Sequence, residues 1–369
     1  MRSATKGKSG NENKEDASED SMKFLVSGGG TGGHFFPAIA LIECMLKKGL
    51  EVEFIGSERG IEYRFRNSIP CDAKFLKSKP FVGQGFIEKV KALYYALFES
   101  ARINAKEIHA GVVFGGYASL PLGFALTAKR KPLYLHEQNS VPSLTNTLLS
   151  KFSKKVFITF EYSRKYFKGE KVIKTGLPVR RELLKGVPDK EYLKESFGFY
   201  KDLPVLLVIG GSQGATFLND LALSIFSDLG IQGIHITGEK DKERTESYYK
   251  EKKLPVKVFA FSDRMDLIYG SCDIALSRAG ASTITELSIF GIPALFIPYP
   301  FSARNHQFYN AKEIEQIGGG ILITQKEASS QKVVKALERL LSERESFSKG
   351  IKRFANPNAC EEILKHILS

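Results

Sequence analysis

Two segments of the chain repeat one pattern, in which an apolar strand runs through a glycine-rich turn into a helix. The first copy covers residues 24–34 (FLVSGGGTGGH) and the second covers residues 205–215 (VLLVIGGSQGA). At such a turn, backbone N–H groups and the positive end of the helix dipole can meet a phosphate group. Two copies about 180 residues apart predict two similar α/β domains that face each other across a cleft, each with a phosphate-binding wall.

Apolar runs alternate with helical patterns along the whole chain, which predicts parallel sheets with helices on both faces. The fold class that we expect is therefore two Rossmann-like, doubly wound parallel-sheet domains, and 369 residues are enough for two separate cores. Strands are predicted at 23–27, 51–55, 72–76, 111–114, 132–136, 155–159, 171–174, 204–209, 232–236, 256–260, 272–276, 293–297 and 320–323. Helices are predicted at 36–48, 58–68, 86–108, 120–129, 142–151, 161–167, 214–228, 241–252, 283–290, 305–316 and 329–342, with two more within 344–368.

The domain organisation follows from the same pattern. Residues 1–21 are polar and carry charges of both signs, which is typical of a disordered tail and lacks the apolar core of a signal peptide. The first domain is predicted at 22–178, with a hinge at its end where glycine and proline stand together, and the second at 179–357. We expect the final helix, 358–369, to pack back on the first domain.

The charge, the cysteine spacing and the uncharged stretches of the chain exclude several classes of protein. The net charge of +13 favours an anionic partner, but no nucleic-acid-binding module is recognisable, so nucleic acid is not predicted as a partner. The four cysteines are far apart and form no metal-binding pattern, which indicates reduced structural thiols. Residues 110–128 contain no charged side chain, yet glycines and a proline divide them, so we expect a strand, a turn and a helix rather than a membrane span.

The first glycine-rich turn leaves several interpretations open. Its glycines also satisfy the GxGxxG pattern, and Glu51 or Glu53 could bind a ribose, so the turn alone does not exclude a dinucleotide site. His34, at the exit of the turn, could be a capping or packing residue. It could also be a general base, since a helix N-terminus lowers a histidine pKa and keeps the ring neutral.

Three further segments carry polar side chains at the ends of predicted strands. His136, Glu137, Gln138 and Asn139 end a strand whose carboxyl edge faces the cleft in a doubly wound sheet. The stretch 277–286 joins a strand to a helix through small residues, and its Glu286 could accept two sugar hydroxyls. In the stretch 300–311, Gln307 and Asn310 are candidates to form hydrogen bonds with sugar hydroxyls. No metal-ligand cluster, DxD triplet or P-loop occurs, so neither a metal nor another cofactor is predicted.

Taken together and in order, these motifs resemble the MurG family of bacterial glycosyltransferases. They are the stretch 29–34 with Pro37, Gly115-Gly116-Tyr117, 136–139, Gly176-Leu177-Pro178-Val179-Arg180, 210–215, Ser277-Arg278-Ala279-Gly280 with Glu286, and Gln307 with Asn310-Ala311. The resemblance covers residues 22–369. It implies a GT-B fold and an inverting transfer, without a bound metal, from UDP-N-acetylglucosamine to undecaprenyl-pyrophosphoryl-MurNAc-pentapeptide (lipid I), which yields lipid II.

The resemblance also implies roles for individual residues. His34 is the first candidate for the base and Glu137 the second. The acceptor and its pyrophosphate would be held by Gly29, Gly30, Gly115, Gly116, Tyr117 and His136. The donor would contact Thr31, Gly32, Gly33, Asn139, Arg180, Ser212, Gln213, Gly214, Phe261, Ser262, Arg278, Glu286 and Gln307. Thr31, Gly32 and Gly33, as part of the stretch 29–33, would also cradle the acceptor pyrophosphate. Asn305-His306-Gln307 departs from the pair of glutamines or the Asp-His-Gln that many members have, which weakens the assignment of the sugar contacts there.

The family further implies a peripheral protein on the cytoplasmic face of the inner membrane, with an anionic membrane surface and other cell-wall synthesis proteins as partners. Residues 74–106 carry seven lysines and arginines against two glutamates. Positions 86, 90, 93, 94 and 97 share one helical face, most of which we expect to pack on the sheet, whereas Phe81 and Phe86 would form an apolar tip. Three alternatives remain open: a GT-B enzyme with another acceptor, a UDP-N-acetylglucosamine epimerase, and a non-catalytic nucleotide-sugar-binding protein.

Overall fold

The computed structural model describes residues 22–78, 86–211 and 215–369. Within them, seven parallel strands form the first sheet, in the order β3-β2-β1-β4-β5-β6-β7. The strands are β1 (Lys23–Ser27), β2 (Glu51–Ser57), β3 (Asp72–Leu76), β4 (Ala110–Val113), β5 (Leu133–Glu137), β6 (Lys155–Ile158) and β7 (Val172–Lys174).

Helices connect these strands as crossovers. They are α1 (Gly32–Lys47), α2 (Ile61–Arg64), α3 (Phe86–Ser100), α4 (Ser119–Ala128) and α5 (Leu144–Leu149), with 3-10 turns at Arg66–Ser68 and Glu161–Tyr166. The uncharged stretch 110–128 therefore forms β4, a turn and α4, as its glycines predict. None of the helices in the described ranges is long and apolar enough to cross a membrane.

The second sheet repeats the design in the described part of the chain, with six parallel strands in the order β10-β9-β8-β11-β12-β13. Its strands are β8 (Val205–Ile209), β9 (Gln232–Ile236), β10 (Val256–Phe259), β11 (Ile274–Ser277), β12 (Ala294–Phe296) and β13 (Gly320–Leu322). The helices around it are α6 (Lys190–Ser196), α7 (Thr216–Leu229), α8 (Glu239–Glu251), α9 (Met265–Ser271), α10 (Ala281–Phe290), α11 (His306–Gln316), α12 (Ser330–Ser342) and α13 (Arg344–Lys352). A further helix, α14 (Ala359–Ile367), follows them along the chain.

Both sheets are covered on both faces, so their central strands are apolar without alternation. All five residues of β8 are buried, and β4 is buried throughout. Such runs are typical of parallel sheets between helical layers, because neither face of the strand meets water. The predicted fold class, two doubly wound parallel-sheet domains, is confirmed.

Some helices differ from their predicted bounds. Helix α3 ends at Ser100 rather than near 108, and Glu161–Tyr166 is a 3-10 helix. Helices α6 and α9 and the 3-10 turn Arg181–Leu184 were not predicted, because each is only one or two turns long and shows too little periodicity to stand out.

The chain crosses between the domains twice. The side-chain amide of Asn356 donates to the Thr175 carbonyl oxygen over 2.8 Å, which joins the second crossing to the first. Beyond it, α14 packs on α1, and its Ile363, Leu364 and Ile367 belong to the hydrophobic core around β1. The boundary at residue 178 stays a prediction.

The face of α3 that packs inward is not the one expected. Ala92, Ala96 and Glu99 are buried, whereas Val90, Tyr94 and Leu97 are exposed, Tyr94 by 67%. The expectation that most of the 86-90-93-94-97 face packs on the sheet is therefore wrong for these three residues. Helix α3 lies against α4, and small alanines suit such a close approach of two helices. Phe81 lies outside the described residues, as does the side chain of Phe86.

The four cysteines are free thiols, as predicted from their spacing. Cys272 and Cys360 are buried, while Cys44 and Cys71 are half-buried.

Candidate active site

Each sheet has a switch point, at which the direction of the connections between strands reverses, and the two switch points lie at matching positions. In the first sheet the chain leaves β1 for α1 on one side and β4 for α4 on the other, and in the second sheet β8 and β11 do the same. Ligands of doubly wound sheets bind at the carboxyl ends of the strands at such a switch point. The first glycine-rich turn lies there, and the described part of the second glycine-rich segment follows β8 at the corresponding position.

Two cavities occupy the space between the switch points. The larger, of about 730 Å³, is lined by the first glycine-rich turn, by Tyr117 and Asn139, and by residues of α10 and α11. The smaller, of about 130 Å³, is lined by residues 177–180 and by others that include Phe261 and Glu286. The two cavities meet, because both are lined by Phe36, Gly211, Ser282 and Thr283.

His34 faces the larger cavity and begins a chain of side-chain hydrogen bonds that runs into the first domain. Its Nδ1 lies 2.8 Å from Oε1 of Gln138, and the Gln138 amide nitrogen lies 2.9 Å from the His136 carbonyl oxygen and 3.2 Å from His136 Nδ1. His136 Nε2 lies 2.8 Å from the Gly176 carbonyl oxygen.

The two carbonyl groups fix every donor in this chain, since a carbonyl oxygen only accepts. Gln138 must turn its NH2 group to the His136 carbonyl, so its oxygen faces His34. His34 Nδ1 therefore donates, and the lone pair of its neutral ring is on Nε2. We refer to His34, Gln138, His136 and the Gly176 carbonyl as the imidazole relay.

The electrostatics keep both imidazole rings neutral. Burial lowers the pKa of His34, and the positive charge that His306 can carry lowers it further, while the hydrogen bonds to Gln138 and the Phe114 backbone act in the opposite direction. Burial lowers the pKa of His136 to about 4. A neutral His34 with an unprotonated Nε2 has the form that a general base requires.

Glu137 and His136 are supports of the cleft rather than parts of its lining. Glu137 is fully buried, and it accepts hydrogen bonds from Asn139 N, Ser143 N and Asn146 Nδ2 at 2.9, 3.3 and 2.7 Å. Burial raises its pKa to about 7 against these hydrogen bonds. The expectation that Glu137, at the carboxyl edge of its strand, faces the cleft is therefore corrected, because both of its oxygens bind the loop that carries Asn139. His136 is likewise buried, inside the relay.

The first glycine-rich turn, residues 28–33, rests on a side chain that sequence reasoning missed. Glu62 of α2 is fully buried and accepts from the Gly30 amide at 2.8 Å and from the Ser57 amide at 3.1 Å. The Gly30 amide thus donates to a carboxylate, while Gly30 itself lines the larger cavity, and its contact with the acceptor stays a prediction. Thr31, Gly32 and Gly33 line the larger cavity, as do Gly29, Gly116 and Tyr117, whereas Gly115 is buried beside Asn146.

The smaller cavity has the composition of a nucleoside pocket. Glu286 lines it, accepts from the Tyr269 hydroxyl at 2.8 Å and has its pKa raised by burial, an effect that the nearby Arg180 charge opposes. Phe261, which is 53% exposed, offers an aromatic face, and Ser262 stands beside it. Ser212, Gln213 and Gly214, the predicted phosphate-binding residues of the second turn, lie outside the described residues.

Arg278 is not directed at the cleft as expected. It is 7% exposed, and its terminal nitrogens donate to the carbonyl oxygens of Ile297 and Pro298 at 3.0 and 3.2 Å and to Gln325 Oε1 at 2.8 Å. Burial lowers its pKa to about 10. Its guanidinium group therefore joins β11 to the ends of neighbouring segments, and Arg180 is the cation that lines the smaller cavity.

Helix α11 brings one predicted and one unpredicted residue to the larger cavity. Gln307 lines it, with its side-chain oxygen 2.9 Å from the Tyr299 amide, and His306 lies next to it. Asn310, which we expected to read sugar hydroxyls, is buried and bridges the domains instead. It accepts from Ser140 N at 2.8 Å and donates to Asn139 Oδ1 at 3.1 Å. Among the described residues, no group of three or more His, Cys, Asp or Glu is arranged to hold a metal ion.

Two facing Rossmann-like domains, with a small pocket that opens into a cleft holding a neutral histidine, define a nucleotide-sugar enzyme of the GT-B class. Comparison with known proteins gives the family. Residues 24–158 match the model of the glycosyltransferase family 28 N-terminal domain, and residues 205–365 match that of the C-terminal domain. The chain belongs to glycosyltransferase family 28.

Individual relatives support this membership. A protein of Aquifex aeolicus named UDP-N-acetylglucosamine–N-acetylmuramyl-(pentapeptide) pyrophosphoryl-undecaprenol N-acetylglucosamine transferase is 47% identical, over 93% of this chain and 99% of its own. The crystal structure of Acinetobacter baumannii MurG is similar with a TM-score of 0.74 and 26% identity, over 94% of this chain and 99% of that one. The predicted resemblance to the MurG family is confirmed.

The fold extends beyond the family. A UDP-GlcNAc 2-epimerase from Neisseria meningitidis, solved bound to UDP-GlcNAc, is similar with a TM-score of 0.66 and 16% identity, over 94% of this chain and 100% of that one. At that identity the likeness shows a shared fold alone.

Proposed function

We propose that this enzyme transfers N-acetylglucosamine from UDP-N-acetylglucosamine to the C4 hydroxyl of MurNAc in lipid I, with inversion at the anomeric carbon, and so makes lipid II. One observation carries the proposal: the smaller cavity opens into the larger one along Phe36, Gly211, Ser282 and Thr283. A donor with its nucleoside in the smaller cavity therefore extends its sugar toward His34. The names of the family relatives support the choice of substrates.

The donor end of the proposal depends on residues of the second domain. Glu286 accepts the ribose hydroxyls, and Phe261 with Ser262 borders the uracil. The UDP phosphates meet the N-terminus of α7, which Ser212, Gln213 and Gly214, the residues that the sequence predicts to bind phosphate, precede along the chain, and Arg180 contributes positive charge. Gln307 and Asn139 contact the sugar from opposite domains.

The acceptor end depends on the first domain. The amides of Thr31, Gly32 and Gly33, with Gly29, Gly116 and Tyr117, line the wall that receives the acceptor and its pyrophosphate. His34 takes the proton of the C4 hydroxyl on Nε2 as that oxygen attacks the anomeric carbon. We prefer His34 to Glu137 as the base because the Glu137 oxygens are engaged by the loop that holds Asn139.

The departing UDP needs stabilisation as its bond to the sugar breaks. Backbone amides at a helix N-terminus are preorganised for developing negative charge, which makes them effective in a site from which water is excluded. Contacts between the domains favour such exclusion. Asn310 joins α11 to the loop after β5, and Arg304 donates to the Pro142 carbonyl at 2.9 Å.

An assay with a water-soluble lipid I analogue and UDP-GlcNAc tests the proposal. We expect UDP and the β-linked disaccharide product to form in equal amounts, with slower turnover for UDP-GalNAc and UDP-glucose. UDP-ManNAc formation without acceptor consumption would instead identify an epimerase. UDP binding without any product would identify a nucleotide-sugar-binding protein.

We further propose that the first domain meets the cytoplasmic surface of an anionic membrane through α3, which would bring the cleft to a lipid-linked acceptor. Val90, Tyr94, Leu97 and Phe98 are between 51% and 67% exposed along this helix. Residues 74–106, which include α3, have an excess of positive charge. An apolar surface with basic neighbours favours the interface of an anionic bilayer. Other cell-wall synthesis proteins would then be neighbours on the same surface.

A further inference from the structure

The buried carboxylate beneath the first glycine-rich turn has no part in the chemistry described so far. Glu62 lies on α2, outside both cavities, yet it is 0% exposed. A buried carboxylate is costly unless its oxygens are hydrogen-bonded. Glu62 satisfies this requirement with backbone amides, one from Gly30 of the turn and one from Ser57 at the end of β2.

The surrounding backbone is shaped around this carboxylate. A Cβ atom on Gly29 would lie 2.3 Å from the Glu62 carboxyl carbon, and one on Gly60 would lie 2.0 Å from its Oε2. On the other side of the turn, Gly30 has φ of +84°, and a Cβ there would lie 2.9 Å from the Tyr117 ring. Gly30 is thus held between the ring of Tyr117 and the carboxylate of Glu62.

Gly33, on the same turn, has a different environment. A Cβ on Gly33 would meet only the Thr31 hydroxyl, at 3.9 Å, and this part of the turn lines the larger cavity. One run of glycines therefore contains two kinds of position. Gly29 is tightly packed from below, whereas Gly33 is open toward the ligand.

We propose that Glu62 is a positioning residue for the acceptor, which holds the turn from beneath so that the amides of Thr31 to Gly33 face the cleft. Gly29 and Gly60 lack side chains because they make room for its carboxyl group. The claim that Glu62 affects acceptor binding rests on the proposed transferase activity, whereas the claim that Glu62 holds the turn does not.

A double-mutant cycle in thermal unfolding tests whether Glu62 holds the turn, without any assay of activity. Gly29→Ala is expected to displace the carboxylate and lower Tm by roughly 5 °C, the order expected for overpacking in a domain of this size. Glu62→Ala removes the acceptor of two amides and lowers Tm on its own. In the Glu62→Ala background, Gly29→Ala should add little, because groups in contact are not additive. Additive losses would overturn the inference.

Gly33→Ala is the matched control on the same turn. Its Cβ has open space, so we expect Tm to be unchanged or slightly raised, since alanine restricts the unfolded chain more than glycine does. A loss as large as that of Gly29→Ala would mean that the turn tolerates no side chain anywhere, and would contradict a specific role for Glu62.

Steady-state kinetics test the positioning role. Glu62→Gln keeps the side-chain volume and one acceptor oxygen, so it is the variant to use if Glu62→Ala fails to fold. We expect its KM for the lipid I analogue to rise ~10-fold, the effect of losing one hydrogen bond to a charged group. The Kd for UDP should stay unchanged, because the second domain binds it. Equal weakening of acceptor and UDP, or a change in Tm alone, would overturn the positioning role. Absence of transfer by the unmodified enzyme would instead contradict the proposed function.

Discussion

The two switch points of this enzyme lie at the same place in the same strand order, yet different kinds of side chain surround them. At the first, His34 is connected through Gln138 and His136 to the carbonyl of Gly176, so a polar chain extends into the body of the domain. At the second, Gly280, Ala281 and Ser282 lead into α10, and the carboxylate that lines the smaller cavity is that of Glu286, which accepts from Tyr269. Strand order determines where a ligand can bind, whereas the side chains behind the turn determine the chemistry.

The difference fits a division of labour. A binding surface for a nucleotide needs shape and a few fixed hydrogen bonds, which short side chains and backbone amides supply. A general base needs a defined tautomer and a pKa near or below the working pH, which requires partners behind it. If the division is real, changes at the first switch point should impair turnover, and changes at the second should impair donor affinity.

The largest expected effect is that of His34→Ala. Removing the base should lower kcat by ~10²–10⁴, the range found for loss of general acid–base catalysis. The Kd for UDP, measured by titration calorimetry, should remain unchanged because His34 lines the larger cavity and not the smaller one, where we place the nucleoside. A variant with near-normal kcat would end the assignment and direct attention to Glu137.

Glu286→Ala should have the opposite profile. Loss of a charged acceptor for the ribose should weaken donor binding by ~10–100-fold, since such hydrogen bonds contribute about 1.5–3 kcal/mol. In thermal unfolding, UDP should raise the Tm of the unmodified enzyme, as any ligand of the native state does, and raise that of the variant much less. Tyr269→Phe is the control, because it leaves the carboxylate in place. Protection by dTDP and GDP equal to that by UDP would contradict a uracil site.

The sequence predicts the two sheets well and the two switch points only in part. Strands such as β1 and β8 are apolar, lie between helices and end at glycine, so local pattern is sufficient to place them. His34 and Glu286 were found because each lies in the first two turns of a helix that follows a strand-to-helix turn. Glu62 was missed because it lies 32 residues from the Gly30 amide that it binds, and a single glutamate on a short helix gives no local signal. The opposite error occurred at Arg278, which was predicted to contact the donor because it lies within a site motif. Its side chain instead turns toward Ile297 and Pro298.

Membrane association should depend on the first domain alone. Tyr94→Ser/Phe98→Ser removes two exposed aromatic rings from α3 and should weaken co-sedimentation with anionic vesicles by ~10-fold, since interfacial binding scales with the apolar area buried. Higher salt should weaken binding of the unmodified enzyme, because attraction to anionic lipid is screened.

The matched control for this experiment is Tyr192→Ser/Tyr200→Ser in the second domain, where the two rings are 62% and 73% exposed. This pair should bind vesicles normally. Equal losses in both pairs, or equal binding to neutral and anionic vesicles, would exclude α3 as the docking surface.

The smallest effect, and the sharpest test of the imidazole relay, is expected for Gln138→Met. Methionine has a similar volume but cannot accept the proton of His34 Nδ1. The hydrogen bond to Gln138 favours the protonated ring and raises the His34 pKa, so its loss should lower that pKa further. Because the base acts in its unprotonated form, kcat/KM rises with pH through this pKa, and the acid limb of the profile should move to lower pH in the variant. Its kcat should fall only a few-fold, because Nε2 can still take the proton while the tautomer is less strictly held.

Gln307→Met, in the second domain, is the control and should raise the KM for UDP-GlcNAc without moving the acid limb of the pH profile. An acid limb that stays in place in Gln138→Met would mean that the titrating base does not sense Gln138, and would separate the relay from catalysis.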